Sequence, residues 1–301
     1  MKKNPKVSVL TPLYNTNPTD LCAMIESILS QTFTDFEFLL LNDSPDNKQL
    51  SKIVQSYKDS RIKYFENDAN LGITKSRNKL IDLAKGEYLA VVDHDDISMP
   101  NRFELEVNFL DKNPHVGVVG GNLTESVDGK RWTTTNYPEN DNEIKISLVN
   151  QPYVCVPNHP TCMIRKSVLI DNNIKYDEKW TPCEDHSLLL DLMDYTCFHN
   201  LPDVVLKYVW HGDNTTIRQR QRMVDLLPVM INAARRKYPI YYNEYKFRQE
   251  NTCHNAVVET PCESNCKNIK LFGFLPLLKI KKQHGQKKVY LFNCIQLLRI
   301  K

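Results

Sequence analysis

The chain has 301 residues, of which 41% are hydrophobic and 25% charged, so it can bury the core of one large α/β domain or of two modest ones. No stretch reaches the about 18 consecutive apolar residues of a membrane-spanning helix, so we expect no bilayer-spanning protein. The nine cysteines at irregular spacings indicate reduced thiols, and the basic start lacks the apolar stretch of a signal peptide. We therefore expect a cytoplasmic protein.

The net charge of +3 is distributed unevenly along the chain. Residues 267–301 contain nine Lys or Arg and no Asp or Glu, so the remainder carries 30 basic against 36 acidic residues. A strongly basic tail on an acidic body predicts contact with an anionic surface. The apolar residues of this tail favour a membrane surface over nucleic acid.

The first hundred residues alternate strand and helix patterns. The predicted elements are strands over 6–10, 36–41, 61–66 and 87–92, with helices over 21–32, 50–57 and 73–86 between them. Repeated strand–helix–strand units predict a parallel sheet with right-handed crossovers. The later predictions are a helix over 101–113, a strand over 116–121, a loop-rich stretch near 152–160, a helix over 183–195, a strand over 204–210 and helices around 224–238.

A polar cluster follows each of the four early strands. The clusters read TPLYN, NDSPD, NDANLGITKSRN and DHDD. Each alone is typical of a turn. Parallel strands bring their carboxyl ends to one edge of the sheet, where ligands of such sheets bind. The coincidence of all four clusters at that edge therefore predicts a ligand site.

The cluster DHDD follows a strand suited to a core. In an extended strand Asp93 and Asp95 face the same way, about 6 to 7 Å apart, and both can address one Mg²⁺ or Mn²⁺. The alternative is that Asp95, Asp96 or Ser98 caps the following helix. Capping explains one polar residue of the cluster and not all three aspartates. A bound metal diphosphate would relieve the repulsion among the carboxylates.

The sequence has no Walker-type phosphate loop and no Gly-x-Gly-x-x-Gly after the first strand. A nucleotide would instead use Tyr14 to stack on a base and Asp43 to accept hydrogen bonds from a base or ribose. Lys75 and Arg77 would meet phosphate charge at the start of a helix, although both also suit an ordinary solvated helix face.

The segments VSVLTPLYN, FEFLLLNDSPD, NLGITKSRN and YLAVVDHDD, followed by CEDHSLLLDL, resemble in order and spacing the motifs of family 2 glycosyltransferases. The resemblance covers roughly residues 5–215 and is to the type that builds bacterial surface polysaccharide and lipopolysaccharide. It implies the GT-A fold, a Rossmann-like, mostly parallel sheet flanked by helices, to which a helical basic C-terminal extension is added. The implied activity is transfer of a sugar, with inversion, from a nucleotide donor, usually UDP-linked, to a glycan or lipid-linked acceptor.

The resemblance also implies roles for individual residues. The donor site would be lined by Thr11, Pro12, Tyr14, Asp43, Asn70, Gly72, Lys75, Arg77, Asp93, His94 and Asp95. Asp95 is the implied direct contact of Mn²⁺ or Mg²⁺, with Asp93 and His211 beside it. Asp185 is the implied general base, with Glu184 as the fallback. An alternative for this acidic pair is favourable placement at a helix N-terminus.

Residues 156–169 resemble the loop and helix of the family that face the acceptor, and residues 208–216 resemble the segment that closes the site. They place His159 and Arg165 near the acceptor sugar, and His211 or Asn214 near the diphosphate or metal. Many relatives carry an Arg near positions 209 and 210, where this sequence has Val209 and Trp210. Neutralisation of phosphate by this segment is therefore in doubt.

The predicted organisation is a glycosyltransferase domain over 1–220, with a donor half over 1–98 and an acceptor half over 99–220, followed by an extension over 221–301. The extension contains a two-copy repeat, 267–281 and 287–301, offset by 20 residues. We expect these basic and apolar segments to lie on the inner face of the cell membrane. Packing onto the body or a partner chain is the alternative.

Two other classes of function remain open from the sequence. A metal-dependent nucleotidyltransferase or phosphohydrolase would need no sugar acceptor, and a non-catalytic nucleotide- or glycan-binding module would keep its function without Asp185. The spacing of Cys253, His254, Cys262 and Cys266 matches no common zinc site, so ordinary thiols are the favoured interpretation.

Overall fold

A computed structural model of the chain describes residues 4–126, 130–210, 214–255, 268–269, 278–283, 286–290 and 299–300. The chain forms two compact units, residues 1–248 and 249–301. The strands are β1 (Val7–Leu13), β2 (Phe36–Asn42), β3 (Ile62–Glu66), β4 (Tyr88–Val91), β5 (Ile97–Ser98), β6 (Val116–Ser126), β7 (Thr133–Thr134), β8 (Met163–Arg165), β9 (Cys197–Val209), β10 (Asn268–Ile269), β11 (Leu278–Gln283), β12 (Gln286–Tyr290) and β13 (Arg299–Ile300). The helices are α1 (Pro18–Leu29), α2 (Lys48–Ser56), α3 (Ile73–Leu83), α4 (Arg102–Lys112), α5 (Asp141–Asn150), α6 (Lys166–Asp171), α7 (Glu184–Leu192), α8 (Thr215–Arg218), α9 (Arg220–Lys237) and α10 (Pro239–Asn255).

The first unit is built on a mixed sheet with strand order β3-β2-β1-β4-β8-β6-β9-β5 and β7 beside β6. The half made of β1 to β4 is parallel throughout, as the alternating pattern predicted. β8 lies antiparallel to both β4 and β6 and joins this half to the rest of the sheet. The carboxyl ends of β1 to β4 consequently meet at one edge.

Both faces of the sheet are buried, and alternate residues of each strand supply two separate apolar layers. Along β1, Val7 and Val9 pack in one layer, while Leu10 packs in the other with Leu39 of β2. A parallel sheet covered by helices on both faces needs strands that are apolar on both sides. This requirement explains the continuous apolar runs of the sequence.

Three features of this unit differ from the sequence predictions. Helix α5 was not predicted, because residues 144–150 are buried all round and show no helical periodicity. Strand β9 begins at Cys197 and not at 204, because its pairing with β6 continues past the irregularity between Leu201 and Val204. The three-residue strand β8 is too short for a pattern to identify.

The first unit extends beyond the boundary that the sequence placed at residue 220. Leu227, Met230 and Ala234 of α9 are buried in the same apolar layer as α5 and α7. This packing makes α9 part of the first unit. Among the described residues, no helix combines the length and apolar character needed to cross a bilayer.

The second unit contains a small antiparallel sheet, β10-β11-β12-β13. The predicted helical extension thus holds for α9 and α10, whereas the described parts of the tail are strands. The two sequence repeats pair their own strands in the same register, because Asn268 lies opposite Lys279 and Lys288 lies opposite Arg299. Each residue of the second pair is 20 positions after its equivalent in the first. The sequence repeat is therefore also a repeat of backbone pairing.

Candidate active site

The candidate site lies where β1, β2, β3 and β4 end. Thr11 and Pro12 are buried in β1, and the Thr11 hydroxyl has no hydrogen-bond partner among the described residues. Tyr14, just beyond β1, has 48% of its surface exposed. An exposed ring at the carboxyl edge of the sheet is available for stacking on a base.

The Asp43 carboxylate organises the loop between β3 and α3. One oxygen accepts hydrogen bonds from the Asn67 side chain at 2.7 Å and the Leu71 amide at 2.8 Å, and the other accepts from the Gly72 amide at 2.8 Å. Gly72 has a φ of 85°, which a residue with a side chain rarely adopts. Asp43 therefore shapes the predicted donor loop, while Asn70 remains exposed on that loop.

The acidic cluster is a turn and not the extended strand that the sequence predicted. β4 ends at Val91, and the Asp96 amide donates to the Asp93 carbonyl at 3.4 Å. The argument that Asp93 and Asp95 share one strand face is therefore wrong, although both remain partly exposed on this turn. His94 lies between them, with its Nδ1 4.0 Å from an Asp95 oxygen.

Asp96 differs from its two neighbours because it is 1% exposed. Burial, together with repulsion from Asp93 and Asp95, raises the pKa of the Asp96 carboxyl well above its usual value. The capping role that the sequence considered for Asp96 has no hydrogen bond to support it.

Arg77 joins two acidic segments that lie far apart in the sequence. Its guanidinium donates to Glu184 Oε1 at 2.7 Å and to Asp93 Oδ1 at 3.0 Å, and its side chain is 11% exposed. Burial opposes the charge of Arg77, but the two carboxylates outweigh it and raise the pKa above its usual value. The same cation holds the pKa of Asp93 below its usual value despite burial.

Helix α3 also holds the segment that leads into α7. The Asn78 side chain makes two hydrogen bonds to the backbone of Tyr176, at 2.9 and 3.0 Å. The hydroxyls of Thr74 and Thr181 lie 2.6 Å apart. Arg77 and Asn78 lie three and four positions after Thr74, so all three project from the same side of the helix. This face connects the donor half of the sheet to the acidic pair of α7.

Glu184 and Asp185 occupy the first turn of α7 but have different environments. Glu184 is 4% exposed and its charge is engaged by Arg77. Burial raises the pKa of Glu184, and the Arg77 cation counteracts this effect. Asp185 is partly exposed, and one of its oxygens accepts from the His186 amide at 2.7 Å. Of the two carboxylates, Asp185 is the accessible one.

The structure does not bring every predicted residue to this site. Arg165 pairs with Tyr88 at the start of β4, roughly 16 Å of extended chain from Asp93, and therefore lies at the opposite edge of the sheet. Its assignment to the acceptor is contradicted, because β8 runs antiparallel to β4. Lys75 is exposed and pairs with Glu178 at 3.2 Å. His211 lies outside the described residues.

His159 is near the site but is not exposed at it. It is 2% exposed, and its Nε2 lies 2.8 Å from the Tyr176 hydroxyl. Burial, with a smaller effect from Arg77, lowers the pKa of His159 to about 4. A buried imidazole held by the Tyr176 hydroxyl packs inside the protein beneath the site.

Sequence reasoning missed residues whose partners are distant in the chain. Tyr176 and Asn67 are examples, since each is an ordinary core or turn residue until the fold brings it against His159 or Asp43. The third residue missed is Arg102, which is fully buried behind the acidic turn. Arg102 and Glu106 are four positions apart, which indicates an ion pair on one helix face. The same spacing is equally typical of an exposed pair on a solvated helix.

Within residues 4–126, 130–210 and 214–255, no three His, Cys, Asp or Glu side chains converge to hold a metal by themselves. Asp93 and Asp95 supply hard carboxylate oxygens on one turn. Mg²⁺ and similar ions are often bound by one or two carboxylates together with substrate phosphates. The donor set therefore fits an ion that is completed by a diphosphate.

Known proteins share this sequence pattern. The model of the family "Glycosyl transferase family 2" matches residues 8–172. An uncharacterized glycosyltransferase of Methanocaldococcus jannaschii is 31% identical over 217 residues, which are 68% of this chain and 70% of that protein. The UDP-Glc:alpha-D-GlcNAc-diphosphoundecaprenol beta-1,3-glucosyltransferase WfgD of Escherichia coli is 34% identical over 107 residues, 36% of this chain and 42% of its own length.

Solved structures share the fold. TarS 1-349 of S. aureus in complex with UDP-GlcNAc has a TM-score of 0.58 at 24% identity, over 68% of this chain and 59% of that chain. The mannosyltransferase PcManGT of Pyrobaculum calidifontis, in complex with GDP-Man and Mn²⁺, has a TM-score of 0.54 at 15% identity, over 73% of this chain and 61% of that chain. The architecture is the GT-A fold. The chain belongs to glycosyl transferase family 2, as its motifs predicted.

Proposed function

We propose that this glycosyltransferase moves a sugar from a UDP-linked donor to a hydroxyl group of a glycan or lipid-linked acceptor, with inversion at the anomeric carbon. The observation that carries the proposal is the junction at Arg77. One cation contacts Asp93 at the end of β4 and Glu184 beside Asp185 at the start of α7. A diphosphate site at Asp93 and a general base at Asp185 would thereby be held close together.

The donor would lie along the carboxyl edge of β1 to β4. Tyr14 provides an exposed ring for the base, and the loop fixed by Asp43 provides a backbone wall. Asp93, His94 and Asp95 would face the diphosphate end, with a divalent ion to offset the negative charges. Of the predicted cations, Arg77 is already engaged by two carboxylates, and Lys75 is the exposed one.

Asp185 would act as the general base. The acceptor hydroxyl oxygen would form a bond to the anomeric carbon on the face opposite the nucleotide, while the bond between that carbon and the phosphate oxygen breaks. Asp185 would take the hydroxyl proton, and the bonding pair would leave with the nucleoside diphosphate. Glu184 is less suited to this role, because Arg77 already engages its charge.

Mn²⁺ or Mg²⁺ would be held by Asp95 and Asp93 together with the donor diphosphate. When bound, such an ion supplies positive charge that stabilises the departing diphosphate. The Mn²⁺ in the complex of PcManGT supports this choice of cofactor. His211 stays a predicted third contributor.

Titration of the protein with a panel of UDP-sugars in the presence of Mn²⁺ tests the donor and the metal together. We expect one donor to bind with micromolar to millimolar affinity, and we expect Asp95→Ala to weaken Mn²⁺-dependent binding about tenfold or more. Asp68→Ala, which removes an exposed carboxylate from the nearby loop, is the matched control. Unchanged binding by Asp95→Ala would contradict the assignment of this residue.

The acceptor class follows from the relatives and from the basic tail. WfgD is named for a diphosphoundecaprenol-linked acceptor, which supports a lipid-linked acceptor and a role in bacterial surface polysaccharide synthesis. The described strands of the tail contain Lys279, Lys281, Lys282, Lys287, Lys288 and Arg299 and no Asp or Glu. Basic residues next to a membrane are attracted by its anionic lipids. We propose the inner face of the cell membrane as the partner of this tail.

Co-sedimentation with vesicles tests the membrane proposal. We expect the protein to bind vesicles rich in anionic lipid, and we expect the variant K281Q/K282Q/K287Q/K288Q to bind about 10³-fold more weakly, since each of the four basic residues near such a surface contributes about 1 kcal/mol. The variant K52Q/K58Q/K63Q/K112Q removes equal charge from exposed positions of the first unit. Equal loss in both variants, or equal binding to neutral vesicles, would contradict a specific role of the tail.

A further inference from the structure

A buried cation lies directly behind the acidic turn, which comprises residues 92–97. Arg102, in the first turn of α4, is fully buried and is the largest such side chain among the described residues. Its Nη2 donates to the Val91 carbonyl at 3.0 Å, and its Nη1 donates to the Ser98 hydroxyl at 3.2 Å. Val91 and Ser98 are the residues that enter and leave the turn. One guanidinium therefore spans the base of the turn.

Glu106 completes this arrangement from the next turn of α4. Its two carboxylate oxygens accept from Arg102 Nε at 3.1 and 3.3 Å, and its own side chain has no exposed surface. Arg102 and Glu106 form a buried ion pair, and the Arg102 cation also opposes the rise in the pKa of Asp96. Burying such a pair usually stabilises a protein no better than apolar residues of the same size would. The pair is better explained by the geometry that it imposes.

The segment after the turn is fixed by a second group of hydrogen bonds. The Ser98 amide donates to the hydroxyl of Ser27 in α1 at 3.1 Å, and Gln31, just after α1, donates to the Met99 carbonyl at 2.7 Å. The same Gln31 accepts from the Phe103 amide at 3.1 Å. The start of α4, from which Arg102 extends, is thus itself held in place by α1 and the residues that follow it.

We propose that Arg102 is a positioning residue that sets the conformation of the acidic turn, with Glu106 holding its guanidinium in the required orientation. The role of the turn, which is to present Asp93 and Asp95 to the diphosphate and its metal, rests on the proposed function. The effect of Arg102 on the conformation of the turn does not. Arg102 itself is fully buried.

The double variant R102M/E106M tests this proposal, because two apolar side chains of similar length can fill the space without leaving an unpaired charge. Hydrogen exchange measured by mass spectrometry would compare peptides covering 91–99 with peptides from β1 and β2. We expect amides of 91–99 to exchange about tenfold faster in the variant, with no change in β1 and β2. We also expect the Mn²⁺ concentration for half-maximal UDP-sugar binding to rise about tenfold. R61M, which removes the Arg61–Asp59 pair remote from the turn, is the control.

The outcomes separate the two proposals. Unchanged exchange over 91–99 in a folded R102M/E106M protein would overturn the positioning role, whatever the binding data show. Faster exchange in β1 and β2 to the same extent would also overturn it, since that pattern describes a general structural role. Should the double variant fail to fold, R102K supplies the same readout, because lysine keeps the charge but lacks the separate Nη1 and Nη2 donors that reach Ser98 and Val91. Absence of UDP-sugar binding by the unmodified protein would instead contradict the proposed function.

Discussion

Asp185→Asn is expected to lower the turnover number for sugar transfer by about 10² to 10⁴, the usual contribution of a general base. The substitution keeps the size of the side chain and the hydrogen bond from the His186 amide, but amide oxygen cannot take the acceptor proton at neutral pH. Because Asp185 does not contact the predicted donor loop, we expect donor affinity to change less than threefold. Initial rates with saturating donor and acceptor, and a donor titration, measure the two quantities separately.

Asp191→Asn is the matched control, since Asp191 is an exposed carboxylate two turns later on the same helix. It should leave transfer and binding unchanged. An Asp185→Asn protein that keeps more than a tenth of the transfer rate would remove Asp185 from the base role. If Glu184→Gln then abolished transfer while keeping the fold, the fallback assignment to Glu184 would take its place.

Arg77→Met should lower the free energy of unfolding by about 3 to 5 kcal/mol, the cost of breaking a buried ion pair from one side. The reason is that Glu184, which is 5% exposed in its side chain, would lose the cation that compensates its charge, and Asp93 would lose its partner too. Chemical denaturation followed by circular dichroism measures this change. We also expect transfer to be lost, because the acidic turn and α7 would no longer be held together.

Lys75→Met provides the comparison on the same helix. Lys75 and Glu178 form a pair in which the side chains are 51% and 60% exposed, so its loss should cost about 0 to 1 kcal/mol. If Arg77→Met and Lys75→Met lowered the free energy of unfolding by similar amounts, the burial of Arg77 would contribute little to the strength of its ion pairs. Arg77→Lys should lie between them, because an ammonium group cannot contact both carboxylates as the planar guanidinium does.

The parallel half of the sheet was predictable because its signals are local. Each of β1 to β4 is an apolar run that ends in turn-forming residues, and the rule that ligands bind beyond such ends predicts a site at this edge. The family motifs predict individual roles there. Within the residues described by the structure, Arg77, Asp93 and Glu184 contact one another, and Asp43 accepts a hydrogen bond from the Gly72 amide.

The unpredicted parts depend on contacts between distant segments. Arg77 has the sequence context of a helix N-terminus and was therefore assigned to phosphate, whereas its partners lie 16 and 107 positions away. Arg102 and Glu106 have the spacing of an exposed surface pair, and only the fold shows that both are buried. Arg165 was misplaced because the direction of β8, and hence the edge that Arg165 reaches, is set by pairing with β4.

The three hydrogen bonds that the loop donates to Asp43 have a consequence for the kinetics of donor binding. A loop that is already ordered loses little conformational entropy when a nucleotide arrives, whereas an unrestrained loop would lose about 1 to 2 kcal/mol for each backbone residue fixed. Recognition by this wall should then resemble docking to a preformed surface, with association rates near those of rigid sites and a small heat-capacity change. Asp43 would thus contribute to donor affinity by ordering the loop between β3 and α3 before the donor binds.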